Sequence, residues 1–196
     1  DMPAHPSAGN HDNTLANALM YYYGSQNKPF VYRCINRLDR DTTGLTIVAK
    51  HALAGGILGN AVAKRAIHRT YYAVCSGCTP ACMRISAPIA RKDASTIERC
   101  VDFKRGENAV TDFIRIKYNP DNNLSLVKLR LLTGRTHQIR VHMKYIGFPL
   151  IGDFLYNPDY TYISRQALHS GRLVFTHPVT GQKMNLISDI PSDMKS

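Results

Sequence analysis

Apolar residues along the chain recur at two spacings. Between Thr14 and Tyr23, Leu15, Ala18, Leu19 and Tyr22 share one face of a predicted helix, with Asn13 or Thr14 to cap its start and Gly24 to suit its exit. Helical spacing returns at Leu53, Ile57 and Ala61 within Ala52 to Lys64, although Gly55, Gly56 and Gly59 each weaken that helix by roughly 1 kcal/mol relative to alanine. A third, short helix fits between Leu132 and Gly147, with Ile139, Met143 and Ile146 on one face and Gly147 as its stop. Strand patterns fill much of the remainder: a buried strand at Leu45 to Ala49, then Thr70 to Ser76, Arg99 to Phe103, Thr111 to Tyr118, Leu124 to Leu132 and Leu168 to Thr176. The last leads through the turn residues His177-Pro178-Val179-Thr180-Gly181 to another at Lys183 to Ile187. Strands outnumber helices and come in runs, which predicts an α+β fold with a mixed, largely antiparallel sheet and flanking helices.

Composition narrows the picture. With 196 residues and 44% hydrophobic content the chain can bury a real core, which excludes global disorder. No repeat or low-complexity tract appears, and the ten prolines are scattered, so residues 1–196 read as one domain. Lys and Arg total 25 against 14 Asp and Glu, a net charge of +11 that calls for a polyanionic partner. There is no long apolar run and no basic amphipathic helix, so the polyanion is read as nucleic acid rather than membrane. Five cysteines form an odd set and no signal-peptide pattern precedes them, which favours a reducing, cytoplasmic setting. The chain opens at Asp1 on a turn-like Met2-Pro3-Ala4-His5-Pro6-Ser7, and is expected to be a fragment.

Two polar clusters carry the chemistry. Asn36-Arg37-Leu38-Asp39-Arg40-Asp41-Thr42-Thr43-Gly44-Leu45 supplies a candidate nucleophilic carboxylate. Thr133-Gly134-Arg135-Thr136-His137-Gln138-Ile139-Arg140-Val141-His142 supplies cations and hydrogen-bonding groups. The first strongly resembles the catalytic motif of the RluA-type family of RNA pseudouridine synthases. The resemblance continues in family order through His5 to Asn10, the strand Arg69-Thr70-Tyr71-Tyr72-Ala73-Val74, Gly134 to His142, the stretch from Ile146-Gly147 to Gly152-Asp153, and Arg165-Gln166-Ala167-Leu168-His169.

The resemblance implies an active-site cleft across the sheet and a reaction that consumes nothing. A uridine in RNA loses its glycosidic bond, the uracil rotates in place, and it is rejoined to the sugar through carbon 5. No cofactor or metal is then needed. By similarity Asp39 is the catalytic carboxylate, Tyr71 the pocket tyrosine stacked on the uracil, and Arg140 the partner arginine. The planar guanidinium of Arg140 is expected to grip Asp39 with two parallel bonds and hold it ionised in a closed pocket. Arg37 is expected near the flipped nucleotide, and Arg40, Arg135, His137 and Gln138 are expected to contact RNA. The RNA would be ribosomal, with transfer RNA as the alternative, and the protein a monomer.

Each residue also has an ordinary role. Asp41 in a Thr-Thr-Gly turn is expected only to cap that turn, and Tyr71 in a strand would otherwise be core. Cys75, Cys78 and Cys82 have thiolate-like spacing, but a closed zinc site needs four ligands and no second paired cysteine motif follows, so no metal site is assigned. His137 and His142 lie five apart, not the four that align two ligands on one helical face, and are read as hydrogen-bonding RNA or backbone. Two features depart from the family pattern. Asn36 replaces a common histidine, and the amino-terminal side is short where many relatives carry a small RNA-binding domain. The rival functions are a noncatalytic RNA-binding or assembly factor on the same fold, and a metal-dependent nuclease, for which no carboxylate cluster is evident.

Overall fold

β-Branched and aromatic residues alternate through the middle and end of the chain, and there they build one continuous sheet. The computed structural model describes residues 2–6 and 11–195; of the opening resemblance, residues 7–10 lie outside that range. Three α-helices are present among the described residues: α1 Leu15–Gly24, α2 Ala52–Ala63 and α3 Gln138–Tyr145. The strands in chain order are β1 Arg33–Cys34, β2 Thr43–Gly44, β3 Val48–Ala49, β4 His68–Ser76, β5 Cys82–Ser86, β6 Ile89–Arg91, β7 Arg99–Val101, β8 Val110–Asn119, β9 Leu124–Leu131, β10 Leu168–Thr176 and β11 Lys183–Ile187. Seven of them form the main sheet, in the order β11-β10-β4-β9-β8-β5 with β2 added beside β10. The only parallel pairing described is β2 with β10, so the expected α+β class with a largely antiparallel sheet is what the chain forms.

Strand β10 organises the approach to the site. Its second half, Arg172 to Thr176, pairs with β11, whereas His169 and Ser170 at its start pair with Thr43 and Gly44 of β2. The register against β4 slips between Ser170 and Arg172, at Gly171, where a Cβ would lie 2.5 Å from the Tyr72 ring. The bulge therefore needs glycine, and on the opposite edge β11 stops at Arg172, leaving His169 and Ser170 to β2. Gly44 has φ +105°, and a Cβ there would lie 2.3 Å from the Ser170 carbonyl oxygen. Gly44→Ala is accordingly expected to lose roughly 1–3 kcal/mol from backbone conformation alone, with further loss from the collision. Thermal unfolding of the variant measures it, and an unchanged midpoint would contradict the pairing.

The core of the sheet centres on Ala73, Phe113, Val127, Leu129, Ile139, Met143 and Leu150, so α3 lies against the face that carries Tyr71. Its predicted face holds: Ile139 and Met143 are buried, Ile146 packs against them, and Gly147 ends the turn at φ +85°. The other two helices differ from expectation. Thr14 caps α1 in a capping box with Asn17, yet only Ala16 of the helix is buried and Tyr22 is exposed. In α2 the packed residues are Ala54, Leu58 and Ala61, while Leu53 and Ile57 face outward. That helix is apolar nearly all round, so two stripes satisfied the same spacing, and the docking of β3 chose between them.

The continuous strand expected at Leu45 to Ala49 is also corrected, because only Val48–Ala49 pairs, with β1. The preceding residues are held by the buried side chain of Asn36, which accepts from Ile47 N at 2.8 Å and donates to Leu45 O at 3.4 Å. A side-chain amide completes hydrogen bonding that backbone partners supply only in part, through Leu45 N to Ser170 O at 2.9 Å and Ile35 N to Ile47 O at 2.8 Å. Strands β1 and β6 are short, and β5 is flanked by Pro80 and Pro88, so the periodicity does not reveal them.

Candidate active site

The loop from Arg37 to Thr42 carries no regular structure of its own and is held from outside by residues from Arg165 onward. Gln166 is fully buried and its Nε2 donates to Arg40 O and, at 2.9 Å, to Thr42 Oγ1. Arg165 Nη1 reaches Asp41 O at 3.4 Å and Gln166 O at 3.0 Å, while its Nε and Nη2 take the two oxygens of Asp193 at 2.9 and 2.8 Å. His169 Nδ1 meets Thr43 Oγ1 at 2.9 Å. Together with β2 these contacts fix the backbone that follows Asp39, from Arg40 to Gly44.

Asp39 lies at the rim of a cleft of about 800 Å³ that Tyr71, His137 and Leu168 also line. Its carboxylate is about one quarter exposed, and Arg140 Nη1 approaches it at 3.5 Å. The expected two-bond grip between these residues is not what forms. Arg140 gives its Nε and Nη2, each at 2.7 Å, to the two oxygens of Asp153. Asp153 is fully buried and also accepts from the backbone N–H groups of Leu155 and Tyr156. The bidentate acceptor had to be buried with the guanidinium, and Asp39, open to the cleft, is not. Arg140 is thus oriented by Asp153 and offers its remaining nitrogen to Asp39.

The rings of Phe154 and Tyr156 lie 5.3 and 5.0 Å from the Arg140 guanidinium carbon. Burial opposes its charge, but the hydrogen bonds and charge of Asp153, followed by the charge of Asp39, more than offset that and raise its pKa. Tyr71 is buried where its ring packs into the core, yet it lines the cleft. Burial pushes its phenol pKa up, against the pull of the Arg69 charge, and the negative charge of Asp39 adds to the rise.

The expected RNA-contacting residues separate into three groups. Arg37 and Arg135 are exposed and line the cleft, with Arg135 also bound to Glu107. Arg40 is exposed beside Asp41 and the Phe154 ring, and is not among the cleft-lining residues. Gln138 does not reach the surface: it is 2% exposed and spends its amide on Thr133, Arg135 N, Val110 O and Thr111. Its reading as an RNA contact is corrected to that of a pin joining α3 to β8. His142 is likewise buried between Thr111 and Ala87 O. His137 lines the cleft, and its Nδ1 meets Tyr156 Oη at 2.9 Å.

Asp41 is no turn cap. Its carboxylate reaches Arg40 Nε at 3.5 Å, and what the position contributes is a left-handed backbone, φ +65°. Residues that the sequence did not single out include Arg65, Arg69 and Arg130, which add cationic lining to the cleft. A second pocket of about 430 Å³ shares Gly134, Arg135 and Thr136 with the cleft and adds Arg91, Arg99 and Arg105. These arginines are far apart in sequence, and only the closing of β6 against β7 and of β8 against β9 gathers them.

Cys75 is buried in the core, whereas Cys78 and Cys82 are exposed, with Cys78 Sγ accepting from Arg115. Among the described residues no group of three His, Cys, Asp or Glu side chains is placed to hold a metal ion. No helix of the described residues is long and apolar enough to cross a membrane.

Comparison with known proteins identifies the family and the fold. An uncharacterized RNA pseudouridine synthase of Bacillus subtilis (strain 168), YhcT, is 39% identical over 193 residues, which cover 98% of this chain and 64% of that protein. Ribosomal large subunit pseudouridine synthase D of Zymomonas mobilis is 37% identical over 211 residues, covering 99% of this chain and 65% of the relative. The chain therefore spans a little under two thirds of the length of these curated relatives. Among solved structures, human RNA pseudouridylate synthase domain containing 1 superposes with a TM-score of 0.75 at 25% identity, covering 90% of this chain and 74% of that one. Human RNA pseudouridylate synthase domain containing 4 shares the fold at a TM-score of 0.75 and 20% identity, over 99% of this chain and 84% of that one. Residues 1–145 match the profile of the family described as RNA pseudouridylate synthase, and the chain belongs to that family.

Proposed function

We propose that this chain is the catalytic unit of an RNA pseudouridine synthase that isomerises uridines in structured RNA, with Asp39 as the catalytic carboxylate. The observation that carries the reading is a partly exposed acid at a cleft rim, faced by the one free nitrogen of a buried arginine. Such a carboxylate stays near a cation yet keeps its oxygens open to attack the base or the sugar. Arg140 holds charge beside it, and Tyr71 offers a ring to the uracil. Arg37, Arg40 and Arg135 bind the RNA backbone, helped by the arginines of the second pocket. The relatives named for the large ribosomal subunit favour ribosomal RNA over transfer RNA as the target, and the reading is that of a cytoplasmic, cofactor-independent monomer.

The test is a map of pseudouridine positions in RNA from cells with and without the protein. One or more sites lost in its absence, and restored by the wild-type gene, are expected; an unchanged map would overturn the proposal. The charge makes a separate demand on binding. With three or four phosphates neutralised, the logarithm of affinity should fall against the logarithm of salt with a slope of about −2 to −3. Filter binding or fluorescence anisotropy at several salt concentrations measures it, and a flat response would remove the arginines from the RNA path.

A further inference from the structure

Tyr156 has a hydroxyl with two partners and a single proton. The backbone N–H of Arg99 donates to its oxygen at 2.8 Å, and His137 Nδ1 lies 2.9 Å away. The residue is 5% exposed, and no other acceptor for the hydroxyl proton is found among the described residues. If His137 carried its proton on Nδ1 and donated to Tyr156, the phenol proton would be buried without a partner. If the phenol donates to Nδ1, every group is satisfied. We infer that Tyr156 locks His137 as the neutral tautomer protonated on Nε2, and that this N–H is presented to the cleft as a donor to an uncharged acceptor oxygen of the target nucleoside.

The surroundings of His137 support both halves. It precedes α3 with φ +56° and ψ +20°, and its side chain makes none of the capping bonds usual at that position. A bulky residue is held in the left-handed region while its ring is turned toward Tyr156, edge-on at 5.8 Å between centroids. The charged groups that face it are Asp39, Arg140, Asp153 and Arg99; burial dominates and lowers its pKa, so the ring is neutral near pH 7. The Tyr156 phenol is pushed up to about 12, chiefly by burial, so its proton is in place to be donated.

A neutral donor complements the cleft's arginines: guanidinium groups suit phosphate, whereas an imidazole N–H suits a base carbonyl or a ribose oxygen without adding charge. Tyr156 is therefore a positioning residue and His137 a substrate contact. Because Tyr156 Oη also holds Arg99 N of β7, it ties the arginine-rich second pocket to the orientation of His137.

This inference rests on the pseudouridine synthase reading for its substrate and not for its tautomer, so two measurements separate them. Long-range ¹⁵N–¹H NMR of the imidazole-labelled chain at pH 7, with His137 assigned by the signal missing in His137→Gln, should show a bare Nδ1 and a protonated Nε2. Tyr156→Phe should convert that signal to a mixture of tautomers. A protonated Nδ1 in the wild type, or a signal indifferent to Tyr156→Phe, would overturn the lock. With RNA from cells lacking the protein as substrate, His137→Ala should reduce kcat/KM by about 10- to 100-fold, and His137→Gln, which keeps an N–H donor, should recover most of it. Equal loss in both variants, or none in either, would overturn the donor role. A wild type without turnover would instead defeat the parent reading and leave the NMR result to decide the lock alone.

Discussion

Asp39→Asn is expected to fold, bind RNA and form no detectable pseudouridine, a loss of at least about 10³-fold in turnover. Asparagine keeps the shape of the side chain and an acceptor oxygen for Arg140, but it has neither the charge nor the nucleophilicity of a carboxylate. Little stability should go with it. The one contact to Arg140 is 3.5 Å long and the carboxylate is partly solvated, so no more than about 1 kcal/mol is at stake. Asp41, two residues on, supplies the control. Its carboxylate touches only the exposed Arg40, and asparagine tolerates its left-handed backbone, so Asp41→Asn should stay within about 0.5 kcal/mol of the parent and keep its activity. Purified variants assayed on the same RNA decide the matter. Robust turnover by Asp39→Asn, or a folded but inactive Asp41→Asn, would move the catalytic role elsewhere; RNA binding without turnover in the parent itself would favour the noncatalytic RNA-binding alternative.

The two acids also show what could be read along the chain. Local signals were sufficient wherever a residue's partners lie near it in sequence: the capped start of α1, the α3 face with its Gly147 stop, and the long strands β8 to β11 with their turns. The candidate site was legible as far as its residue types and order, because the motif around Asp39 and the run from Gly134 to His142 are contiguous. What remained hidden depends on meetings between distant segments. Gln166 and Arg165 grip the Asp39 loop from more than 120 positions away. Nothing in Gln138 itself distinguishes an amide that will be buried against β8 from one that faces RNA. The pairing of Arg140 is hidden for the same reason: charge and spacing admit either Asp39 or Asp153, and only burial chooses between them.

That choice sets the second large effect, at Asp153. Asp153→Asn should cost about 3–5 kcal/mol, because the Arg140 guanidinium would remain buried while its bidentate carboxylate is gone. Against a typical domain stability of about 5–15 kcal/mol this lowers the unfolding midpoint by roughly 6–20 °C. Activity should fall beyond what lost folding explains, since Arg140 Nη1 faces Asp39 only while Nε and Nη2 are anchored. Arg140→Lys should show the converse: charge is retained beside Asp39, but one ammonium cannot hold Asp153 with two parallel bonds and still reach a second carboxylate. The double variant Asp153→Asn with Arg140→Gln separates stability from chemistry. Replacing both ions with amides removes the unpaired buried charge, so part of the lost stability should return while turnover does not. Thermal unfolding and turnover measured on the parent, the singles Asp153→Asn and Arg140→Gln, and the double variant test this. Strictly additive losses in stability, or recovery of turnover in the double variant, would show that Asp153 does not act through Arg140.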